Sequence, residues 1–307
     1  MAITSPSLVM SIEALFGAVK PATDTLQKLG AIDFSKDAPG IEIKPGSTMK
    51  VPLATVTAAS AFASTQAVAA AGSGTVNNYL TGGATSFGNL TATHYLQGFD
   101  ISGVDIDQGI NAARIKNIFA KRAGMGIALA CMGAVKTALD GCTASTGATL
   151  TATTANSGAG ATAADYLNLG GSITWLDKTT SVLAVNGATL SDIKSKFAAL
   201  NVVPASLTEL AQYLGYRDMV LIPGMTARAV IVPAGTFGSI ARVPAVFAQY
   251  KEVGVETDED SGLSIGIVVA NDQGDNRQVV NADLWFGCIA SSASANNTTT
   301  HGILKFS

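Results

Sequence analysis

Apolar residues at helical spacing open the chain. Residues 7–29, SLVMSIEALFGAVKPATDTLQKL, predict a helix broken near Pro21, whose ring removes a backbone donor, and stopped by Gly30. GIEIKPGSTMKVPLATV then alternates as strand, turn and strand about Pro45-Gly46. Residues 57–93 carry few large apolar anchors and no charged side chain. So long a free loop is unusual inside a compact domain. It reads either as a β-hairpin or arm ordered by a partner, or as a surface loop. HYLQGFDISGVDI (94–106) returns as strand, and Asp107 caps a helix running to about Asp140, before Gly141.

The second half alternates short elements. Residues 142–164 are a low-complexity loop or hairpin. SITWLD (172–177) and SVLAV (181–185) read as strands. TLSDIKSKFAAL places Leu190, Ile193, Phe197 and Leu200 on one helical face, with Thr189 and Asp192 at capping-box spacing. SLTELAQYLG has Ser206 as N-cap, Glu209 as the reciprocal acid and Gly215 as the stop. DMVLIPG and RAVIVPAG are strands ended by Pro-Gly and Pro-Ala-Gly. Together these make a compact α+β unit over roughly 143–246. From 247 the pattern is all β: two long strands around TDEDSG, then NADLWFGCIA and HGILKFS.

The long helix has two characters. Residues 107–140 hold five basic residues and no acid between the end aspartates. At about 100° per residue, Arg114, Lys121, Arg122 and Lys136 share an arc of about 100°, with Ile118 inside it. The second half is apolar all round, so it must be covered all round. Gly126, Ala130, Gly133 and Thr137 fall on one side, where another backbone could approach. Each of Gly124, Gly126 and Gly133 costs roughly 0.5–1 kcal/mol against alanine unless close packing or bending offsets it. The uncharged run between Arg122 and Lys136 is 13 residues. At ~1.5 Å per residue it spans roughly 20 Å, short of a ~30 Å hydrocarbon core, so no membrane span is expected.

Composition sharpens the picture. Charged residues are 13% of the 307, against roughly 25% in ordinary globular chains, and aromatics only 6%. A chain so poor in charge either hides much of its surface under other subunits or carries an uncharged Thr/Ser/Asn surface. A net charge of −3 gives no global basic field for nucleic acid. Cys131, Cys142 and Cys288 form neither CxxC nor an even framework, so neither zinc nor a disulfide is expected. The N-terminal run lacks a basic leader and holds Glu13, which makes it a poor signal peptide.

No catalytic motif emerges. His94 and His301 have no spaced carboxylate or cysteine and read as strand residues. GMGIAL (124–129) has Leu129 where a dinucleotide fingerprint needs glycine, and it sits within a helix. Glu256, Asp258, Glu259 and Asp260 lack EF-hand spacing. They read as a solvated hairpin tip, with a metal site or an acidic contact for a basic neighbour as alternatives. The sequons at Asn89 and Asn296 have no signal peptide to give them meaning.

The order of these elements resembles the major capsid proteins of tailed double-stranded DNA bacteriophages, a fold shared with encapsulins. The residues that carry the resemblance are GSTMKVPLATV, HYLQGFDISGVDIDQGINAARIKNIFAKRAG, DIKSKFAALNVVPASLTELAQYLGYRDMVLIPG and ADLWFGCIA…HGILKF. It implies an α+β fold with an N-terminal arm (1–44), an extended β-hairpin loop (45–95), a long spine helix within a peripheral β-sheet domain (96–142 and 247–307), and an axial α+β domain (143–246). It further implies hexamers and pentamers tiling an icosahedral shell around double-stranded DNA bound without sequence specificity. A separate scaffold protein, a portal and a decoration protein are the implied partners, with no cofactor, no enzymatic activity and no membrane. The implied place is the virion, assembled in the host bacterial cytoplasm. Loop 57–93 would lie across a neighbouring subunit.

The assembly residues expected on this reading are Arg114, Lys121, Arg122, Gly124, Gly126, Glu256, Asp258, Glu259 and Asp260. The basic face would pair with the acidic turn of the same chain or a neighbour, or face the genome. Gly124 and Gly126 would let the helix bend. An encapsulin-type compartment and, more remotely, a surface-layer or adhesin protein are the competing readings.

Overall fold

The computed structural model describes residues 6–35, 48–53, 86–102, 112–143, 162–171, 173, 176–243, 252–258, 263–272, 277–291 and 302–306. The chain divides into two compact units. The first takes Met1–Met49, Asn89–Val135 and Gly238–Ile289; the second takes Lys50–Gly88, Lys136–Phe237 and Ala290–Ser307.

In the first unit, helix α1 (Pro6–Leu29) runs through Pro21 without a break. This corrects the expected interruption. Leu15, Val19, Ala22, Leu26 and Leu29 are all buried at alternating spacings of four and three. Burial of that seam outweighs the ~3 kcal/mol that an interior proline costs. Gly30, at φ +65°, ends the helix as predicted. Strand β1 (Ile32–Asp33) then pairs in parallel with β8 (Phe237–Arg242). The Phe34 ring lies on Gly238, where an added Cβ would come within 2.3 Å of it, and Ala241 donates to Ser35 Oγ at 2.9 Å. Over its described part, the expected arm is thus a packed helix and a strand.

Strands β2 (Thr48–Leu53) and β3 (Ser86–Thr91) form a two-stranded sheet. The Pro45-Gly46 turn, the strand before it and residues 54–85 lie outside the described residues. Strand β4 (Thr93–Ser102) pairs antiparallel along β11 (Arg277–Ala290). The large sheet runs β1-β8-β11-β10-β9, with β9 (Glu252–Thr257) and β10 (Ser264–Asp272) antiparallel around the acidic turn. Asp258 N donates to Leu263 O at 2.9 Å and begins that turn; Glu259 and Asp260 lie outside the described residues.

The long helix, α2, is Ala112–Asp140. Its 29 residues make it about 43 Å long. Asp107 lies outside the described residues, so its capping role does too.

The second unit centres on a sheet of order β12-β7-β5-β6: β5 (Val182–Val185), β6 (Asp218–Leu221), β7 (Ala229–Val232) and β12 (Leu304–Phe306). A parallel pair needs a crossover. For β5 and β6 it is supplied by α4 (Gly187–Ala198) and α5 (Leu207–Tyr213). Leu183, Ile193, Phe197, Leu210, Ile231 and Phe306 share its core, and Tyr216 is buried with its hydroxyl donating to Leu169 O at 2.7 Å. Because β12 joins β7, residues 290–307 fall in this unit, whereas the sequence placed 247–307 wholly with the long helix.

Four local readings change. A helix missed in the low-complexity stretch, α3 (Ala163–Leu167), is opened by a Thr162–Asp165 capping box. SITWLD shows no strand at its described positions; Ile173 N donates to Gly170 O and Leu176 N to Ile173 O, successive turns that bury Ile173. The N-cap of α4 is Asn186, whose side chain accepts from Thr189 N at 2.8 Å, so Thr189 is the third helical residue rather than the cap. Leu200 follows the helix and is exposed instead of sharing its buried face. By contrast, Ser206 caps α5 as predicted, although Glu209 reaches back to Ala205 N rather than to Ser206.

Asn186 also donates to the carbonyls of Met225 and Ala227. Asn186→Ala is expected to destabilise the protein by about 1–2 kcal/mol. Thr189 Oγ1 is buried without a partner. Thr189→Val should therefore leave stability unchanged or raise it. Urea unfolding of the two variants separates the true cap from the apparent one.

Candidate assembly surface

The faces of α2 are set by what covers them. Ala120, Ala123, Ile127, Cys131 and Val135 are buried at spacings of three and four. On the first unit's sheet, Tyr95, Gln97 and Phe99 alternate to one side of β4, opposite Leu284, Ala282 and Val280 of β11. Phe99 stacks with Phe119 of α2 at 5.4 Å between ring centres, which fixes the helix on that side of the ladder.

Gly124 decides the other neighbour. A Cβ there would lie 2.4 Å from Leu15 O and 2.9 Å from Ala18 Cβ of α1. Two helix backbones touch at this point, and only a residue without Cβ permits it. Gly126 instead lies under the Gln97 side chain, with a Cβ reaching 3.2 Å from it, and Gly133 has nothing within 4 Å. Within the expected stripe of small residues at 126, 130, 133 and 137, neither glycine shows a backbone contact of the Gly124 kind among the described residues. That close approach belongs to Gly124.

The opposite face of α2 is open, contrary to the expectation of complete cover. Ile118 is 44% exposed, Met125 59% and Leu129 74%. Lys121 and Arg122 are exposed beside them, and the Arg122 guanidinium lies 5.9 Å from the Phe119 ring centre. Among the described residues no ion pair holds Lys121 or Arg122. The side chains of Arg114 and Glu256 lie outside the described residues.

By length and composition Asn117–Asp140 could cross a membrane. Its buried line, its contact with α1 and the cations Lys121, Arg122 and Lys136 within it mark it as a core helix of a folded unit.

The last turn of α2 is anchored within the second unit. Asp140 accepts from Thr226 N at 3.0 Å and Ala227 N at 2.9 Å, Lys136 lies 3.9 Å away, and Lys305 Nζ donates to the Asp140 carbonyl. A carboxylate at a helix C-terminus opposes the helix dipole; these donors offset that. Burial alone would raise the Asp140 carboxyl, but the Ala227 and Thr226 donors, aided by Lys136, hold it below its usual range.

The remaining chemistry is structural. His94, which sequence spacing left without a partner, donates from Nε2 to the Asp283 carboxylate and stacks on Trp285 at 4.7 Å. The pair is 189 residues apart in sequence and meets only through the β4–β11 register. Burial pushes the Cys131 thiol up to about 12 and Cys142 to about 11, and raises Cys288 well above its ordinary value. Such thiols are not nucleophiles at neutral pH. No group of three or more His, Cys, Asp or Glu side chains suited to a metal occurs among the described residues.

No sequence-family description matches the chain, and no curated protein does. Among solved structures, it is similar to the capsid of an empty GTA particle, at 12% identity over 93% of this chain and 90% of that one, TM-score 0.47. It is also similar to a virus-like particle from Pyrococcus furiosus, at 11% identity over 95% and 96%, TM-score 0.46. A third likeness is to a Mycobacterium phage Che8 structure, at 14% identity over 87% and 86%, TM-score 0.45.

Gly124→Ala is expected to destabilise the protein by about 1–3 kcal/mol, because the contact is backbone on backbone. Gly133→Ala should be neutral or stabilise by about 0.5–1 kcal/mol. Denaturant midpoints of the purified protein measure both. Asp140 gives a pH signature. Its folded carboxyl titrates below the unfolded value of about 3.9, so its contribution is present above that pH and lost as pH falls through the folded value. Asp140→Ala should thus lower the melting temperature at pH 7, and the gap to wild type should close under acid conditions.

Proposed function

We propose that this chain is a structural shell subunit, the major capsid protein of a tailed bacteriophage. It assembles as hexamers and pentamers of an icosahedral shell enclosing double-stranded DNA. The observation that carries the reading is the topology around α2. The chain lays down β4, crosses on a ~43 Å helix into a separate α+β unit, and then builds most of an antiparallel sheet that pairs back on β4. That is the order of spine helix, axial domain and closing strands in the capsid proteins that the sequence resembles. On this reading the first unit is the peripheral domain, the second the axial domain, and residues 45–95 the extended loop.

The surface supports it. Leu96, Met125, Leu129, Leu200 and Val203 are each more than half exposed in a chain with 13% charged residues. An isolated subunit so built needs copies of itself or assembly partners to cover it. The role calls for no catalysis and no cofactor. A separate scaffold protein, a portal and a decoration protein complete the assembly, and the mature site is the virion.

Electron microscopy of the purified protein, produced alone and with its neighbouring genes, tests this. Uniform closed shells that take up DNA are the expected outcome. A stable monomer or a flat lattice would overturn the reading. Closed shells filled with an enzyme rather than DNA would assign the chain to a cargo compartment.

A further inference from the structure

The open face of α2 has a composition that selects its occupant. Taking ~100° per residue, Met125 and Leu129 lie within about 20° of Ile118 around the helix axis. The three residues form a line roughly 16 Å long, about three helical turns. Single exposed apolar residues are ordinary, but an aligned row is a docking ridge. Lys121 lies on one side of that row and Arg122 on the other. From Ala112 to Leu139 the helix contains no acidic residue, so no charge on α2 itself neutralises them.

We propose that this face binds an amphipathic helix of a partner protein, with an apolar stripe for Ile118, Met125 and Leu129 and acidic side chains flanking it for Lys121 and Arg122. The inference goes beyond the shell reading and does not depend on it. Charge complementarity argues for this occupant over two others. A second copy of α2 would set Lys121 and Arg122 against their own like charges. Duplex DNA would use the two cations but would leave the apolar row against hydrated phosphates, which gain nothing from it. An apolar stripe with acidic borders uses every exposed group on the face, in the helix-in-groove manner that reads i, i+7 and i+11.

The test uses the full chain and two synthetic helical peptides of about 18 residues. Both carry leucine on one face; one is flanked by glutamate, the other by lysine. The glutamate peptide is expected to bind the wild-type chain and to lose about tenfold in affinity with the double variant Lys121→Glu/Arg122→Glu. The same variant should gain affinity for the lysine peptide, which also shows that it is folded. Leu129→Ser, at an exposed position, should weaken the glutamate peptide with the unfolding midpoint unchanged. Equal binding of both peptides to wild type, or binding indifferent to Leu129→Ser, would overturn the proposal. Two further results would also do so. If Leu129→Cys subunits cross-link to one another and the peptide does not compete, the face belongs to a second copy. If duplex DNA binds where neither peptide does, the face belongs to nucleic acid.

Discussion

The crossing at Gly124 is the constraint on which the first unit depends. With α1 held at backbone distance from α2, the Leu15–Leu29 seam and the Ala120–Val135 line can both be dry at once. That burial is what carries α1 through Pro21, against local propensity. It also fixes α2's rotation about its axis. Once Gly124 faces α1 and Phe119 faces β4, the row Ile118–Met125–Leu129 must point away from both. The exposed ridge is therefore not an accident of a poorly filled core. It is the geometric remainder of a helix whose other faces are already assigned.

Much of this was legible wherever the signal is local. Ser206 with Glu209, Gly215 at φ +84° and the β9–β10 hairpin all follow from neighbours within a few residues. Errors arose where tertiary burial or an earlier cap competed with a plausible local pattern. Thr189 and Asp192 mimic a capping box, yet Asn186 captures the helix three residues sooner because it also ties down Met225 and Ala227. Ile173 and Leu176 look like strand residues by composition, but their spacing of three suits the turns they form. The Thr162–Asp165 box was readable and was hidden only by the monotony of its surroundings.

The candidate surface was half legible. Helical periodicity placed Lys121, Arg122 and Ile118 on one face, and that face is the exposed one. Periodicity alone could not say which glycine meets a backbone. It put Gly126 and Gly133 on the side of close approach and left Gly124 off it, and the backbone that reverses this is that of α1, about a hundred residues earlier in the chain. The His94–Asp283 pair was beyond reach for the same reason: the ladder register that joins them is set by the whole length of β4 and β11.

These points bear on why a stable fold keeps glycines in its longest helix. Gly124 needs no conformational role to account for it, since any side chain would separate α1 from α2. At Gly133 an added Cβ would have open space, with nothing within 4 Å, so close packing there does not account for a glycine whose helix propensity is unfavourable by roughly 0.5–1 kcal/mol. Gly124 and Gly133 thus separate, within one helix, a glycine whose missing Cβ the packing requires from one whose missing Cβ it does not.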